Sequence, residues 1–494
     1  FKNYEGNSID LNLRNSFDIA PWLDTDMTVN VRVGEEKNPS FGTRLLATYT
    51  PYTRLVDEEG NPIPLPFLSS RWDQLTLEQY PDDLKGLDAI LQDELDQNIR
   101  KTKSYRTRAA LMLNFKITEW LKFSSGFQYE FARAKETLLY NKESYDMRMQ
   151  YNAFSYVDAA SGKVMHYLPD ADSYGEGNTD TDNFTWRNQL NFDYTTKDGM
   201  HSITALAGSE TRESKGKYIY TRVWGYDDEV QGYTAVNNKE LTQFWNGLMW
   251  SSISEWDFFR KSETRNRFVS FFGNVMYTFN NRYDITGSIR WDLSDLFGKK
   301  KKYLYKPLWS VGAAWTISNE KFMHGITWLD RLRVRATYGI NGNVARGVSP
   351  YLVAEYQLNK ITGQQYGEVT TPPNASLRWE KTKVTNLGVD FAVFKNRLTG
   401  SLQYYSRNSG DLLAVVDSDP TCGFERMQLN VGAMTNKGFE VELRGTPVRW
   451  RDLEWTAGFT FAYNKNEVTK LNKKPFSAST LVSGGVLQEG RPYD

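Results

Sequence analysis

The chain has 494 residues with 60 Lys plus Arg against 60 Asp plus Glu, so no net charge directs it to nucleic acid or to an acidic partner. Its single cysteine, Cys422, excludes an internal disulfide framework. Mean hydropathy is -0.60 and no run of about 18 apolar residues occurs, which excludes a transmembrane helix but not a membrane-spanning barrel, whose strands are only half apolar.

In chain order, alternating segments begin at Ile9, Leu11, Leu13, Phe17 and Ile19 and continue at Met27, Val29, Val31 and Val33. Ala109, Leu111, Leu113, Phe115 and Ile117 follow, then 121–134, then Phe184, Trp186, Leu190, Phe192 and Tyr194, then 200–211 and 264–279. The clearest is RYDITGSIRWDLS at 282–294. Tyr283, Ile285, Ile289 and Trp291 share one parity there, while Arg282, Asp284, Arg290 and Asp292 share the other. Trp309 to Ile317, Leu332 to Tyr338, 382–394, 397–408, 436–446 and 453–464 complete the series. The count is about 14 strands of roughly 9 to 15 residues, long for a globular protein and adequate for tilted bilayer spans.

The connections alternate between short and long. Short ones fall at 21–24, 119–120, 197–199, 280–281, 395–396 and 447–452, with 318–330 a longer member of the same side. Long ones occupy 35–103, 135–182, 212–263, 295–306, 340–379 and 409–434. That parity predicts an all-β fold, a transmembrane antiparallel up-and-down β-barrel with short periplasmic turns and long extracellular loops. One face of each strand then meets lipid and the other a wet lumen. The expected lumen-facing charges are Arg282, Asp284, Arg290, Asp292, Arg331, Arg333, Arg335, Glu440, Glu442 and Arg444. Charges of that density need water or opposite charges nearby. The aromatic content, 14% of the chain, suits girdles at the two membrane interfaces.

Neither terminus carries a targeting segment, so residues 1–494 read as an interior piece of something larger, with its targeting signal absent.

The segment 218–259 gathers Trp224, Tyr226, Tyr233, Trp245, Trp250 and Trp256 on the expected extracellular side, where aromatic faces could meet a ligand or a protein lid, or pack among themselves. Lys299 to Lys302 is a basic run that attracts lipopolysaccharide or is simply solvated. Asp170, Asp172 and Glu176, with Asp180 and Asp182, offer oxygens to calcium. Tyr174 and Thr181 stand where an EF-hand loop wants oxygen ligands, so a solvated loop is the better reading. Leu84, Leu87, Leu91 and Leu95 predict a short helix over 82–95, packed across the barrel mouth. Only His166, His201, His324 and Cys422 are available for nucleophilic or metal chemistry, no triad or His-Glu-x-x-His spacing occurs, and no cofactor or enzymatic activity is expected.

The stretch SIRWDLSDLFGKKKKYLYKPLWSVGAAWTISNEKFM (288–323) resembles the barrel of SusC/RagA-like TonB-dependent outer-membrane transporters. So do LDRLRVRATYGINGN (329–343), 377–413, 429–448 and 455–471, with a looser likeness at 51–64 and 117–130. The resemblance implies a barrel of about 22 strands around a plug, so that residues 1–494 would be an interior part of the β-barrel domain, without the signal peptide, N-terminal extension, plug and final strands of the full pattern. It also implies TonB-driven import of oligosaccharides or oligopeptides across the bacterial outer membrane and a SusD-like surface lipoprotein as lid. Pairs of transporter and lid could dimerise. The competing expectation is a barrel whose long loops act as an adhesin or surface hydrolase.

Overall fold

The computed structural model describes residues 4–40, 52–64, 70–243, 247–294, 307–343, 351–359, 362, 364–374, 376–419, 421, 423, 424, 426–471 and 488–493. Strands β1 (Glu5–Ala20), β2 (Leu23–Pro39), β3 (Asn98–Thr118) and β4 (Leu121–Tyr140) open the sheet. The short pair β5 (Ser155–Val157) and β6 (Val164–His166) lies between β4 and β7 (Asp172–Thr195). Next come β8 (His201–Asp227), the stub β9 (Gly232–Tyr233), β10 (Phe259–Phe279), β11 (Tyr283–Ser294), β12 (Leu308–Thr316) and β13 (Leu329–Asn343). The hairpin β14 (Val353–Leu358) and β15 (Gln365–Thr371) precedes β16 (Glu380–Val393), β17 (Leu398–Asp417), β18 (Arg426–Trp450) and β19 (Leu453–Lys470). Fourteen strands pair in one antiparallel order, β1-β2-β3-β4-β7-β8-β10-β11-β12-β13-β16-β17-β18-β19, and β9 adds to β8. Every neighbour on that path is the next long strand in the chain, which is the up-and-down connectivity the spacing predicts.

The short connections are set by local chemistry. Asn280 and Asn281 both hold positive φ (50° and 52°), the left-handed conformation that asparagine tolerates and tight hairpins require. The longest short-side connection is organised around Glu320. Its carboxylate accepts hydrogen bonds from Tyr283 Oη (2.5 Å), Trp315 Nε1 (3.1 Å) and Arg282 Nη1 (3.2 Å), tying two hairpins together at the end of the sheet.

Strand length departs from the sequence reading. β7 has 24 residues and β8 has 27, so the connections expected at 135–182 and 212–263 shrink to 141–171 and 228–258. The reason lies on the apolar face. Beyond Phe131, Phe184 and Val269 that face switches to charge, with Asp180, Asp182, Glu213, Lys215, Glu263, Arg265 and Arg267, so the hydrophobic alternation stops. The ladder continues because the charges pair across it. Glu213 takes Arg267 Nε at 2.7 Å, Arg265 at 3.0 Å and Lys215 at 3.0 Å, and Arg133 meets Asp182 at 3.1 Å.

The helix expected over 82–95 is replaced by two helices, α1 (Arg71–Gln79) and α2 (Leu91–Gln97). Ser70 and Asp73 close a capping box on α1, and Pro81 ends it; Gly86 lies in the irregular stretch between the helices. Three further helices, α3 (Tyr145–Ala153), α4 (Asn238–Gln243) and α5 (Glu255–Phe258), belong to the long connections. No helix among the described residues is long and apolar enough to cross a membrane.

Candidate functional site: a capped mouth and a charged wall

The long connections fold together at one end of the sheet. Leu84, Leu87, Tyr145, Met147, Phe154, Leu168, Trp224, Leu241, Met249 and Ile253, drawn from three separate connections and the top of β8, form a buried apolar cluster. Polar cross-links fix it. Asn152 accepts the Lys85 backbone N–H at 2.8 Å and donates to the Lys85 carbonyl at 2.7 Å. Arg148 donates to the Gly86 and Asp88 carbonyls and lies 3.7 Å from Glu94. Glu94 is 2% exposed and accepts the Tyr145 backbone N–H at 2.7 Å. Burial pushes its carboxyl up to about 7, against the lowering effects of that hydrogen bond and of Arg148.

The aromatic set singled out in 218–259 divides. Trp224 is only 1% exposed: its Nε1 donates to Gln150 Oε1 at 3.3 Å and its ring lies 4.7 Å from that of Phe258. The Arg222 guanidinium lies 4.6 Å from the same ring and 3.9 Å from Tyr140. Tyr226 is buried too, stacked on Tyr174 at 4.8 Å. Both belong to β8 rather than to a surface loop, Trp224 in the packing of the cap and Tyr226 against Tyr174 of β7, and both are buried. Tyr233, Trp250 and Trp256 are exposed, Trp250 to 84%. Trp245 and the run Lys299 to Lys302 lie outside the described residues.

The calcium candidates are spread and paired rather than convergent. Asp170 pairs with Lys85, Asp172 accepts the Lys142 backbone N–H at 2.8 Å, and Glu176 pairs with Lys135 at 2.9 Å from within β7. Among the described residues no group of acidic, histidine or cysteine side chains is placed to hold a metal ion.

The ladder register places Asp284, Arg290, Asp292, Arg333 and Arg335 on one face of the sheet. Arg333 Nη2 reaches Asp284 Oδ2 at 2.6 Å, passing over β12 beside the small Ala314, which stands between Asp284 and Arg335 in the register. Arg335 meets Asp390 at 3.2 Å, and Arg290 meets Asp292 at 2.8 Å while Ser270 donates to the same carboxylate. Arg282, just outside β11, pairs with Glu320. Arg331 sits two residues before Arg333 opposite Ala392, and Glu440, Glu442 and Arg444 are exposed on the same face of β18. The part-buried charges Asp284, Arg290, Asp292, Arg333 and Arg335 thus each have an opposite charge, as a polar wall requires, while the exposed ones are left to solvent.

That wall holds features the sequence reading missed. Glu130 is buried between Arg106 (3.0 Å) and Arg108 (3.2 Å) from the neighbouring strand. Phe272 lies on the charged face over Gly208, where a Cβ would come within 2.6 Å of its ring, and Arg187 and Arg290 lie 4.7 and 5.8 Å from the ring centre. Extending the parity of β10 to Phe272 would have flagged an aromatic among charges. On the opposite face, aromatic pairs mark the short-turn end: Trp22 with Phe115, Trp120 with Phe192, Tyr283 with Trp315 and Trp328 with Phe394.

Residues 70–486 match the family described as TonB dependent receptor-like, beta-barrel. TonB-dependent receptor P26 of Formosa agariphila is 30% identical over 300 residues, covering 59% of this chain and 28% of the relative. TonB-dependent receptor SusC of Bacteroides thetaiotaomicron is 32% identical over 235 residues, covering 46% of this chain and 23% of SusC. The solved RagAB peptide importer in its closed-closed state superposes with a TM-score of 0.72 at 20% identity, over 95% of this chain and 47% of that one. The chain therefore spans about a quarter of those curated relatives and about half of the solved structure.

Proposed function

The chain belongs to the TonB-dependent receptor-like β-barrel family, an outer-membrane class of receptors and transporters, and from that premise we propose that it forms the wall and mouth of an energy-coupled importer of oligosaccharides or oligopeptides. A SusD-like lipoprotein covers its mouth, and TonB acts through parts of the longer protein. The likeness to TonB-dependent receptor SusC and to the fold of the RagAB peptide importer supports the transport reading, and the latter the oligopeptide class.

The observation that carries the membrane reading is the height of the apolar face. From Phe184 to Tyr194 on β7 that face runs Phe, Trp, Asn, Leu, Phe, Tyr before charge replaces it beyond Phe184. Ten residue steps cover roughly 33 Å of strand, which at a tilt of ~40° stands about 25 Å tall, the height of an outer-membrane barrel's apolar band. The paired charges on the other face then line a wet lumen, and the cap roofs its extracellular mouth.

In this reading the strands are a fixed wall, and a plug remodelled by TonB gates passage. Deleting the TonB-contacting segment of the full-length protein should abolish growth on the cognate oligomer and leave surface binding intact. Growth that survives the deletion would show passive diffusion or another role, such as adhesion.

A further inference from the structure

On the apolar face, at the short-turn end of β17, β18 and β19, the wall is not flat. A groove of about 600 Å³ opens there, lined by Phe394, Leu398, Leu443, Pro447, Ala457 and Phe459. Its origin is local. The β18–β19 register shifts between Gly445 and Val448, which lifts Thr446 and Pro447 out of the ladder, and Gly445 contributes no side chain to fill the space beneath. The groove is continuous with the exposed apolar row of Phe439, Phe459 and Phe461.

One charge stands at its rim. Arg397 lines the groove from the β16–β17 turn. Its backbone is fixed, donating to the Phe394 carbonyl at 3.3 Å and accepting the Thr446 N–H at 2.7 Å, while the side chain is exposed and forms no ion pair among the described residues. Lys395 is exposed in the same turn; the nearby Asp330 carboxylate is engaged by the Asn396 backbone N–H at 2.8 Å.

We propose that this groove is a binding site for one glycerophospholipid of the periplasmic leaflet, with an acyl chain along the groove and the phosphate on the Arg397 guanidinium. The assignment rests on the membrane reading above, which puts the short-turn end at the depth where phosphate headgroups lie. Acyl chains are as apolar as the groove lining, so the groove alone gives a lipid little reason to prefer it over bulk bilayer. Preference must come from the headgroup, and a guanidinium with no carboxylate partner among the described residues offers the planar donor fork that phosphate takes. The volume falls within the roughly 300–1,000 Å³ of ordinary small-molecule sites.

The test uses the full-length transporter purified from outer membranes in detergent, with retained phospholipid counted by native mass spectrometry. Arg397→Gln removes the headgroup contact from an exposed turn. Gly445→Leu fills the groove, and its Cβ meets neighbours only at 3.7 Å or beyond. Thr211→Leu, on the same face in the middle of β8 and away from the groove, is the control. The wild type and Thr211→Leu should hold one tightly bound phospholipid, with retention falling roughly tenfold in the other two variants. Equal retention in all four proteins overturns the site. Loss in Gly445→Leu with none in Arg397→Gln overturns the headgroup assignment, and a bound mass matching free phosphate overturns the lipid. A protein that fractionates as soluble and carries no lipid would overturn the membrane reading itself.

Discussion

Glu94 accepts the backbone N–H of Tyr145 at 2.7 Å across the cap, joining the β2–β3 connection to the β4–β7 connection in a place where its carboxylate is almost wholly out of solvent. Its folded value of about 7 stands above the ordinary 4.5, chiefly through burial. Between those values the folded cap holds a proton that the unfolded chain has released. Cap stability therefore falls as pH rises through that window, by up to about 3 kcal/mol at ~1.4 kcal/mol per unit. Glu94→Gln keeps an acceptor for Tyr145 and cannot ionise. Exchange protection of cap amides, corrected for intrinsic rates, should drop between about pH 5 and about pH 8 in the wild type and stay level in the variant. Equal slopes in the two proteins would remove Glu94 as the cause.

The two faces of β11 should answer charge differently. Ile289 points to the apolar side, whereas Ser288 points to the charged side, where its hydroxyl meets that of Ser310 at 2.6 Å. Ile289→Arg should destabilise the barrel by about 2 to 4 kcal/mol if it sits near the bilayer midplane, and Ser288→Arg should be mild. Heat resistance of the folded band on a gel reads the difference. Equal loss in both variants would overturn the face assignment.

The faces of β11 were legible because strand parity is a local property, written directly in the alternation of Tyr283, Ile285 and Ile289 with Asp284, Arg290 and Asp292. The turns were legible for the same reason, as Asn280 and Asn281 show. The true end of β8 was not. Hydrophobic alternation reports what a face touches, and Glu213 and Lys215 stay in the ladder while touching Arg265, Arg267 and one another instead of apolar surroundings. The burial of Trp224 was not legible either, because it depends on Gln150 and Phe258, partners that no spacing in the chain connects to it.

Glu320 makes a sharper stability prediction than any surface ion pair. It is buried and accepts from Tyr283, Trp315 and Arg282, so Glu320→Ala leaves three donors at the short-turn end without their acceptor. Losing a buried charged acceptor costs about 1 to 3 kcal/mol or more. The loss should appear as faster unfolding in denaturant, with Glu320→Gln in between because it still accepts through one oxygen. A melting profile unchanged in Glu320→Ala would show that the three donors find other partners.

The aromatic residues of the cap should separate packing from recognition. Trp224 fills the centre of the buried cluster, and Trp224→Ala should cost about 3 to 5 kcal/mol of cap stability, with protease cleavage in the long connections as the readout. Trp250 and Trp256 are exposed, so replacing both with Ala should change stability by no more than about 0.5 kcal/mol each. In the proposed importer reading these tryptophans overlie the mouth, and large aromatics commonly anchor interfaces. The double variant should then weaken pull-down of the lid lipoprotein or calorimetric binding of the oligomer by tenfold or more, about 1.4 kcal/mol. If both measurements match wild type while the cap stays protease-resistant, these side chains play no part in recognition.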